Sequence, residues 1–343
     1  LFLGIEILSI PLYVMAGSNK TDLRSNEASI KYFLMGAFAT GFLLFGIALI
    51  YGSTGSFDVH VINTFSVANP KDLMFVMGIM LMLVAMAFKV SLAPFHMWSP
   101  DVYQGAPSLI TAFMASVVKI AAFFAFFKVM NLAFAGSIKE WINILGVLVI
   151  ITLLLANAMG LAQTNAKRML AYSSVSHAGY LGLIFFGANS LSVYNLAFYL
   201  FAYSLATVGV FMTLIWVEKL KRETSFEAFK GLAKSEPLLA VVTAVSLLSM
   251  AGIPLTAGFV AKFNIFAQAM NGAAFLVLIA VIGSALSIAY YLKLIISMFF
   301  HTETTFKSSE KVSITYNIIA VFIIVAILAI GIYPDLFKVQ FGL

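Results

Sequence analysis

Ten apolar runs, most of them long enough to cross a bilayer, dominate this chain and leave it few ways to fold. They cover residues 1–17, 28–51, 72–104, 107–130, 140–163, 168–187, 190–218, 237–270, 273–300 and 313–336. A spanning helix needs about 20 predominantly apolar residues, at ~1.5 Å of rise each, to cross the hydrocarbon layer. Composition agrees, since 62% of the 343 residues are hydrophobic, only 10% are charged, and the mean hydropathy is +1.03. Soluble domains average about 25% charged residues, so a globular enzyme, a coiled coil, a disordered chain and a nucleic-acid module are excluded together. The net charge of +6 lies between the runs and does not gather into one patch. Cysteine is absent, which excludes disulfides, zinc–cysteine sites and iron–sulfur clusters held by this chain. The reading is an all-α polytopic membrane protein with about ten transmembrane helices. The chain starts at Leu1, inside an apolar run and without a basic leader or cleavage site, so it reads as a fragment beginning partway into its protein.

Two of the runs are too long for one crossing and are broken inside. Residues 72–104 contain Lys89-Val90-Ser91-Leu92-Ala93-Pro94, and residues 237–270 contain Gly252-Ile253-Pro254-Leu255-Thr256. Proline removes a backbone donor and clashes with the preceding turn, so each run is expected to form two half-helices around an unwound segment. Such breaks are tolerated at membrane depth only where protein or a water-lined cavity satisfies the freed groups. A broken helix in each half of a chain points to inverted repeats around an ion pathway, and an ordinary proline kink is the alternative.

Orientation follows from the connecting segments. Lys20, Arg24, Lys167, Arg168, Lys219, Lys221, Arg222, Lys230, Lys234, Lys307 and Lys311 fall on one side, against Lys71, Lys128, Lys139 and Lys338 on the other. The basic side is expected to face the cytoplasm or its equivalent. The connector at 219–236 mixes five basic residues with Glu223, Glu227 and Glu236 and reads as a solvated surface.

The informative residues are charges far from helix ends. Lys119 stands at the middle of the 107–130 run and Lys89 near the middle of 72–104, while Lys262 lies in the second half of the other broken run. Glu6 lies about 16 Å along the helix from the end of its run, near the midplane. Each such charge costs about 2.5–3.5 kcal/mol at a helix centre on insertion scales. Burial and a neighbouring carboxylate act in opposite directions on a buried amine, which suits a group that must exchange protons. A structural ion pair is the plainer alternative for Lys89 and Lys119. Lys119 continues a small, polar helix face formed by Ser108, Thr111, Ala112, Ala115 and Ser116. Lys31 and Lys293 stand close enough to helix ends to snorkel. His177 sits among Tyr172, Ser173, Ser174, Ser176 and Tyr180, a cluster that serves either proton conduction or helix–helix adhesion. His96 follows the first break as a relay or as a cap on unwound backbone, and His60 and His301 lie in loops. No histidine pair has metal-ligand spacing, and nucleophile, phosphate-loop and dinucleotide motifs are missing.

The stretch Phe88-Lys89-Val90-Ser91-Leu92-Ala93-Pro94-Phe95-His96-Met97-Trp98-Ser99-Pro100-Asp101-Val102-Tyr103-Gln104-Gly105-Ala106-Pro107 closely resembles the signature of the antiporter-like N subunits of proton-pumping NADH:quinone oxidoreductase, respiratory complex I. Further matches are Leu3-Gly4-Ile5-Glu6 through Pro11, Glu27 through Tyr32, Ala171 through His177, and Gly252-Ile253-Pro254 through Lys262-Phe263. The resemblance covers essentially the whole chain. It implies a family fold of fourteen helices with two inverted five-helix repeats, of which this chain would begin in the fifth helix. Residues 1–130 would then belong to the first repeat, 131–300 to the second, and 301–343 would hold a C-terminal helix.

By the same resemblance, Glu6 and Lys89 form the charge pair of a first half-channel, Lys119 is the central lysine, and Lys262 is the lysine of a second half-channel. Lys31, His96, Tyr172 and His177 match relay positions. The implied role is proton translocation, driven by redox chemistry elsewhere, as a non-redox subunit of the oxidoreductase. The chain itself would hold no cofactor, with NAD, FMN, iron–sulfur clusters and quinone bound to partner subunits in the membrane and peripheral arms. The implied location is the inner (plasma) membrane of a bacterium rather than a mitochondrial one. A secondary cation/proton antiporter of the Mrp type, using the same lysines without redox partners, is the competing reading. A passive scaffold whose charges only fix helix register is a third.

Overall fold

The structure, a computed structural model, describes residues 1–301 and 312–337, which are almost entirely helical. The helices are α1 (Phe2–Ala16), α2 (Leu23–Thr54), α3 (Val59–Ala68), α4 (Leu73–Val90), α5 (Trp98–Gly105), α6 (Ser108–Ala133), α7 (Ala135–Leu161), α8 (Ala166–Gly182), α9 (Ser192–Lys221), α10 (Pro237–Ala251), α11 (Ala257–Phe300) and α12 (Ile314–Ile332). Seven are long and apolar enough to cross a membrane. The expected runs are all recovered as helical elements, with ends displaced by a few residues. Lys307, Lys311 and Lys338 of the charge comparison, and residues 338–343 of the last expected segment, lie outside the described residues.

Helix ends are set by caps. The Asp22 carboxylate accepts from the Arg24 N–H at 2.9 Å, and the Asn165 side chain accepts from the Arg168 N–H at 3.1 Å. On α2 the buried positions include the small residues Ser25, Ala28, Gly36, Ala39 and Gly46, whereas Phe33, Leu34, Phe38, Leu44 and Phe45 are exposed. That is the pattern of a helix with lipid on one side and close packing on the other. A Cβ on Gly46 would lie 2.9 Å from the Gly78 carbonyl oxygen of α4, so the two backbones meet there.

Both expected breaks are present and are built alike. After α4, Ser91 is left-handed (φ 64°) and the Leu92 N–H reaches back to the Ala87 carbonyl at 2.8 Å. After α10, Gly252 is left-handed (φ 85°) and the Ile253 N–H reaches the Leu248 carbonyl at 3.1 Å. These are Schellman-type endings, which use up carbonyls at the helix terminus. Other freed groups find side chains: the Thr152 hydroxyl of α7 takes the Ala93 N–H at 2.8 Å, and the Trp98 indole donates to the Phe88 carbonyl at 3.1 Å. Protein therefore replaces the missing helical partners at membrane depth.

Helix α11 is two helices in one. Ala273 has non-helical angles (φ −156°, ψ 54°), and the Lys262 ammonium meets the Ser284 hydroxyl at 2.8 Å. Twenty-two residues of straight helix would place them about 33 Å apart. The chain therefore doubles back at Ala273, where the apolar runs 237–270 and 273–300 part. Helix α8 is the innermost element, with every residue from Ala166 to Gly182 buried except Arg168. Surrounded by protein on all sides, it can carry serines, tyrosines and a histidine that a lipid-facing helix could not.

Three features were not anticipated. α3 is an extra ten-residue helix in the 52–71 connector. α6 contains two π-turns, at Met114–Val118 and Val129–Ala133, the first ending directly before Lys119. The 219–236 connector is not simply a solvated surface. Ala228, Phe229 and Leu232 are buried, Ala166 N–H donates to the Thr224 carbonyl, and Phe226 N–H donates to that of Thr164.

Candidate proton-transfer site

Lys89 stands on the last turn of α4, just before the break. Its ammonium donates to the Ser9 hydroxyl of α1 and lies 5.8 Å from the centre of the Tyr13 ring. Glu6, one turn earlier on α1, accepts from the Thr40 hydroxyl of α2 at 2.8 Å. Among the described residues no ion pair joins Glu6 to Lys89. The expected charge pair is therefore not a direct contact: Ser9 stands against the lysine, and Glu6 is turned to Thr40.

Lys89 and Lys119 both line a cavity of about 280 Å³ whose wall is mostly apolar, with Ser9, Tyr32 and Tyr103 among its polar members. It is large enough for several water molecules. Lys119 is 5% exposed and is held by the carbonyl and the hydroxyl of Ser174 on α8, the latter at 2.6 Å. Its ammonium lies 5.4 Å from the centre of the Tyr203 ring. The π-turn before it gives α6 a wider turn at this point.

From Ser174 the polar face of α8 continues inward. Ser173 shares a 2.5 Å hydrogen bond with the Tyr291 hydroxyl, which lies 3.4 Å from His177 Nε2. His177 Nδ1 lies 2.8 Å from the Tyr199 hydroxyl. A small void of about 10 Å³, the size of one water, joins His177 and Tyr199 to Ser249 and Gly258 at the second break. Lys262, also 5% exposed, donates to the Ala251 carbonyl at 2.9 Å and to the Ser284 hydroxyl at 2.8 Å, with the Tyr180 ring centre 4.6 Å away. The break thus supplies the lysine directly with a carbonyl that an unbroken helix would have used.

Lys119 and Lys262 have no carboxylate partner among the described residues. An ammonium held by neutral oxygens can release its proton without stranding a buried carboxylate. Hydroxyls and an imidazole both donate and accept, so the Ser173–Tyr291–His177–Tyr199 cluster can pass a proton by exchanging donor and acceptor roles.

The remaining candidates fall elsewhere. Lys31 does not merely snorkel: it pairs with Glu27 at 2.6 Å and with Asp101 of α5 at 2.9 Å. Arg168 of α8 completes that network at 2.9 Å from Asp101 and also donates to Gln104 at 2.9 Å. Tyr172 lies beside it, with its ring centre 6.0 Å from the Arg168 guanidinium, rather than in the hydroxyl chain. His96 is buried in the first break, and its Nδ1 meets no hydrogen-bond partner among the described residues. Sequence reasoning passed over Ser9, Ser284, Tyr199, Tyr291 and Asp101. It also counted Lys167 as a loop charge, whereas that side chain is buried and donates to the Ala106 carbonyl at 2.5 Å. Among the described residues no group of histidines and carboxylates is arranged to hold a metal ion.

Four known proteins or families match this chain. The family model described as "NADH:quinone oxidoreductase/Mrp antiporter, TM" matches residues 1–287. A protein of Cytophaga hutchinsonii named NADH-quinone oxidoreductase subunit N is 46% identical over 337 residues, covering 98% of this chain and 73% of that protein. A chain of respiratory complex I from Thermus thermophilus superimposes with a TM-score of 0.82 at 36% identity, over 98% of this chain and 73% of that one. A chain of the Mrp complex from Dietzia shares the fold, with a TM-score of 0.86 at 23% identity over 98% of this chain and 71% of that one.

Proposed function

Because the chain belongs to the NADH:quinone oxidoreductase/Mrp antiporter transmembrane family, we propose that it is the antiporter-like N subunit of a proton-pumping NADH:quinone oxidoreductase. One observation carries this reading: Lys89 and Lys119 line one cavity, and Lys119 and Lys262 both lie against α8, at Ser174 and at the Tyr180 ring. Protons move along that line, with Lys119 at its centre and Glu6 biasing the Lys89 end. His96 and Lys31 adjust the approaches, and Tyr172 acts through Arg168. The two repeats are residues 1–130 and 131–300, each with one broken helix, and α12 is the C-terminal addition.

NAD, FMN, iron–sulfur clusters and quinone are bound by partner subunits, and this chain does no electron transfer itself. The complex lies in a bacterial inner membrane with the basic side of this chain toward the cytoplasm. The shared fold with an Mrp complex keeps a cation/proton antiporter as the competing reading. Affinity purification of the tagged chain in mild detergent, followed by reconstitution, separates the two. The N-subunit reading expects flavin- and iron–sulfur-containing subunits to co-purify, and NADH with quinone to acidify the vesicle lumen without sodium. Recovery with other antiporter subunits alone, and sodium-dependent proton exchange, would contradict it.

A further inference from the structure

On the basic side of the molecule the ends of α5, α6, α8 and α9 surround a recess of about 530 Å³. It is lined mainly by polar groups, among them Asp22, Gln104, Asn165, Lys167 and Glu218. Glu218 sits on the last turn of α9. Its carboxylate accepts from the Ser108 hydroxyl at the start of α6 and lies 3.5 Å from the Lys167 ammonium at the start of α8. Side-chain exposures of 35% for Glu218 and 3% for Lys167 put the carboxylate at the wall and the amine behind it.

Ser108 begins the face of α6 that leads to Lys119. Thr111, Ala115 and Ser116 on that face are all buried, and Lys119 lies 11 residues on, about 16 Å along the axis. The Thr111 and Ser116 hydroxyls donate to backbone carbonyls, at 2.9 Å to Tyr103 and 2.6 Å to Ala112, which leaves their oxygens free to accept. Hydroxyls at Ser108, Thr111 and Ser116 therefore mark the helix face between the recess and the central lysine.

We propose that this recess is the mouth through which protons reach Lys119, and that Glu218 loads them. The inference rests on the proton-carrying reading of Lys119. The step is a proton transfer alone: a Glu218 oxygen takes a proton from water in the recess, and its hydrogen bond with Ser108 then reverses. The carboxyl donates to the serine oxygen while the serine proton passes, by way of the Thr111 and Ser116 hydroxyls as each turns from its backbone carbonyl, to the Lys119 amine once that amine has given up its own proton, and Glu218 returns to carboxylate. Lys167 stays docked on the Ala106 carbonyl throughout, so a positive charge remains beside the protonated carboxyl and drives the proton onward.

Two measurements on the assembled complex test this. Glu218→Gln keeps the shape and the Ser108 contact but cannot carry a proton. It should slow NADH-driven pumping by about tenfold or more, as expected for loss of a proton-transfer group, while Glu218→Asp restores most of the rate. The chain has no cysteine of its own, so Ser108→Cys can be probed with a charged, membrane-impermeant methanethiosulfonate. It should react from the basic side of sealed vesicles only, whereas lipid-facing Val117→Cys should not react from either side. An unreactive Ser108→Cys, or an assembled Glu218→Gln complex that pumps at the unmodified rate, overturns the proposal. Lys119→Ala, measured in parallel, separates the two levels. Pumping lost in Lys119→Ala but intact in Glu218→Gln removes only the loading role, whereas pumping intact in both removes the underlying reading as well.

Discussion

Lys89, Lys119 and Lys262 each have three donors to place and no acceptor, and their surroundings answer with neutral oxygens. Ser9 holds Lys89, Ser174 holds Lys119, and Ala251 with Ser284 holds Lys262. Glu6 stands one turn from Ser9 on α1 with no ion pair to Lys89 among the described residues, so any coupling between the two charges acts across space. In a double-mutant cycle of Glu6→Gln and Lys89→Met, losses of pumping should be less than additive. Additive losses would show that Glu6 and Lys89 act independently. The charged members of this site were legible because an ionisable group inside an apolar run is conspicuous. Their partners were not. A serine or threonine can satisfy itself on the carbonyl four residues back, as Ser9 does with Ile5 at 2.5 Å, so it leaves no mark on hydropathy. Asp101 was read as part of a motif, and nothing in its spacing announced that it would join Lys31 to Arg168 across α2, α5 and α8.

The two interrupted helices show what backbone chemistry adds to side chains. Proline and glycine marked both interruptions in the sequence, and the endings found there differ in which partner takes the freed groups. At the first, Thr152 and Trp98 take them; at the second, Lys262 takes the Ala251 carbonyl itself. Pro254→Ala removes the obstacle to continuing α10, and a re-formed turn would compete with Lys262 for that oxygen. The variant should assemble and resist heating at least as well as the unmodified chain, yet transfer protons through Lys262 more slowly. Thermal unfolding followed beside single-turnover proton release checks both halves, and faster or unchanged release would contradict the role given to this carbonyl. The π-turn before Lys119 and the doubling-back at Ala273 were harder to foresee, because neither requires proline. Asn271-Gly272 separated the apolar runs, but the reversal itself shows in the non-helical Ala273 and in the contacts of Ser284 with Lys262 and Ala251.

Across the whole molecule, the arrangement is a protein-buried polar helix inside a shell whose outer face is apolar. Phe38 of α2, Phe263 and Phe275 of the two halves of α11, and Phe322 of α12 are exposed, whereas Ser173, Ser174, Ser176 and His177 are buried on α8. That inversion explains why composition alone gave the class, while motif resemblance was needed to give the role. The central claim is that protons cross by way of the lysine at the meeting point of the first cavity and the α8 face. The direct measurement is the ratio of protons moved to NADH oxidised by the reconstituted complex carrying Lys119→Ala or Lys119→Arg. Alanine has no proton to exchange, and an arginine guanidinium does not release one at accessible pH. Both assembled variants should show proton transport and coupled turnover reduced together to a small residue. An assembled Lys119→Ala complex with the unmodified ratio at the unmodified rate would contradict the account.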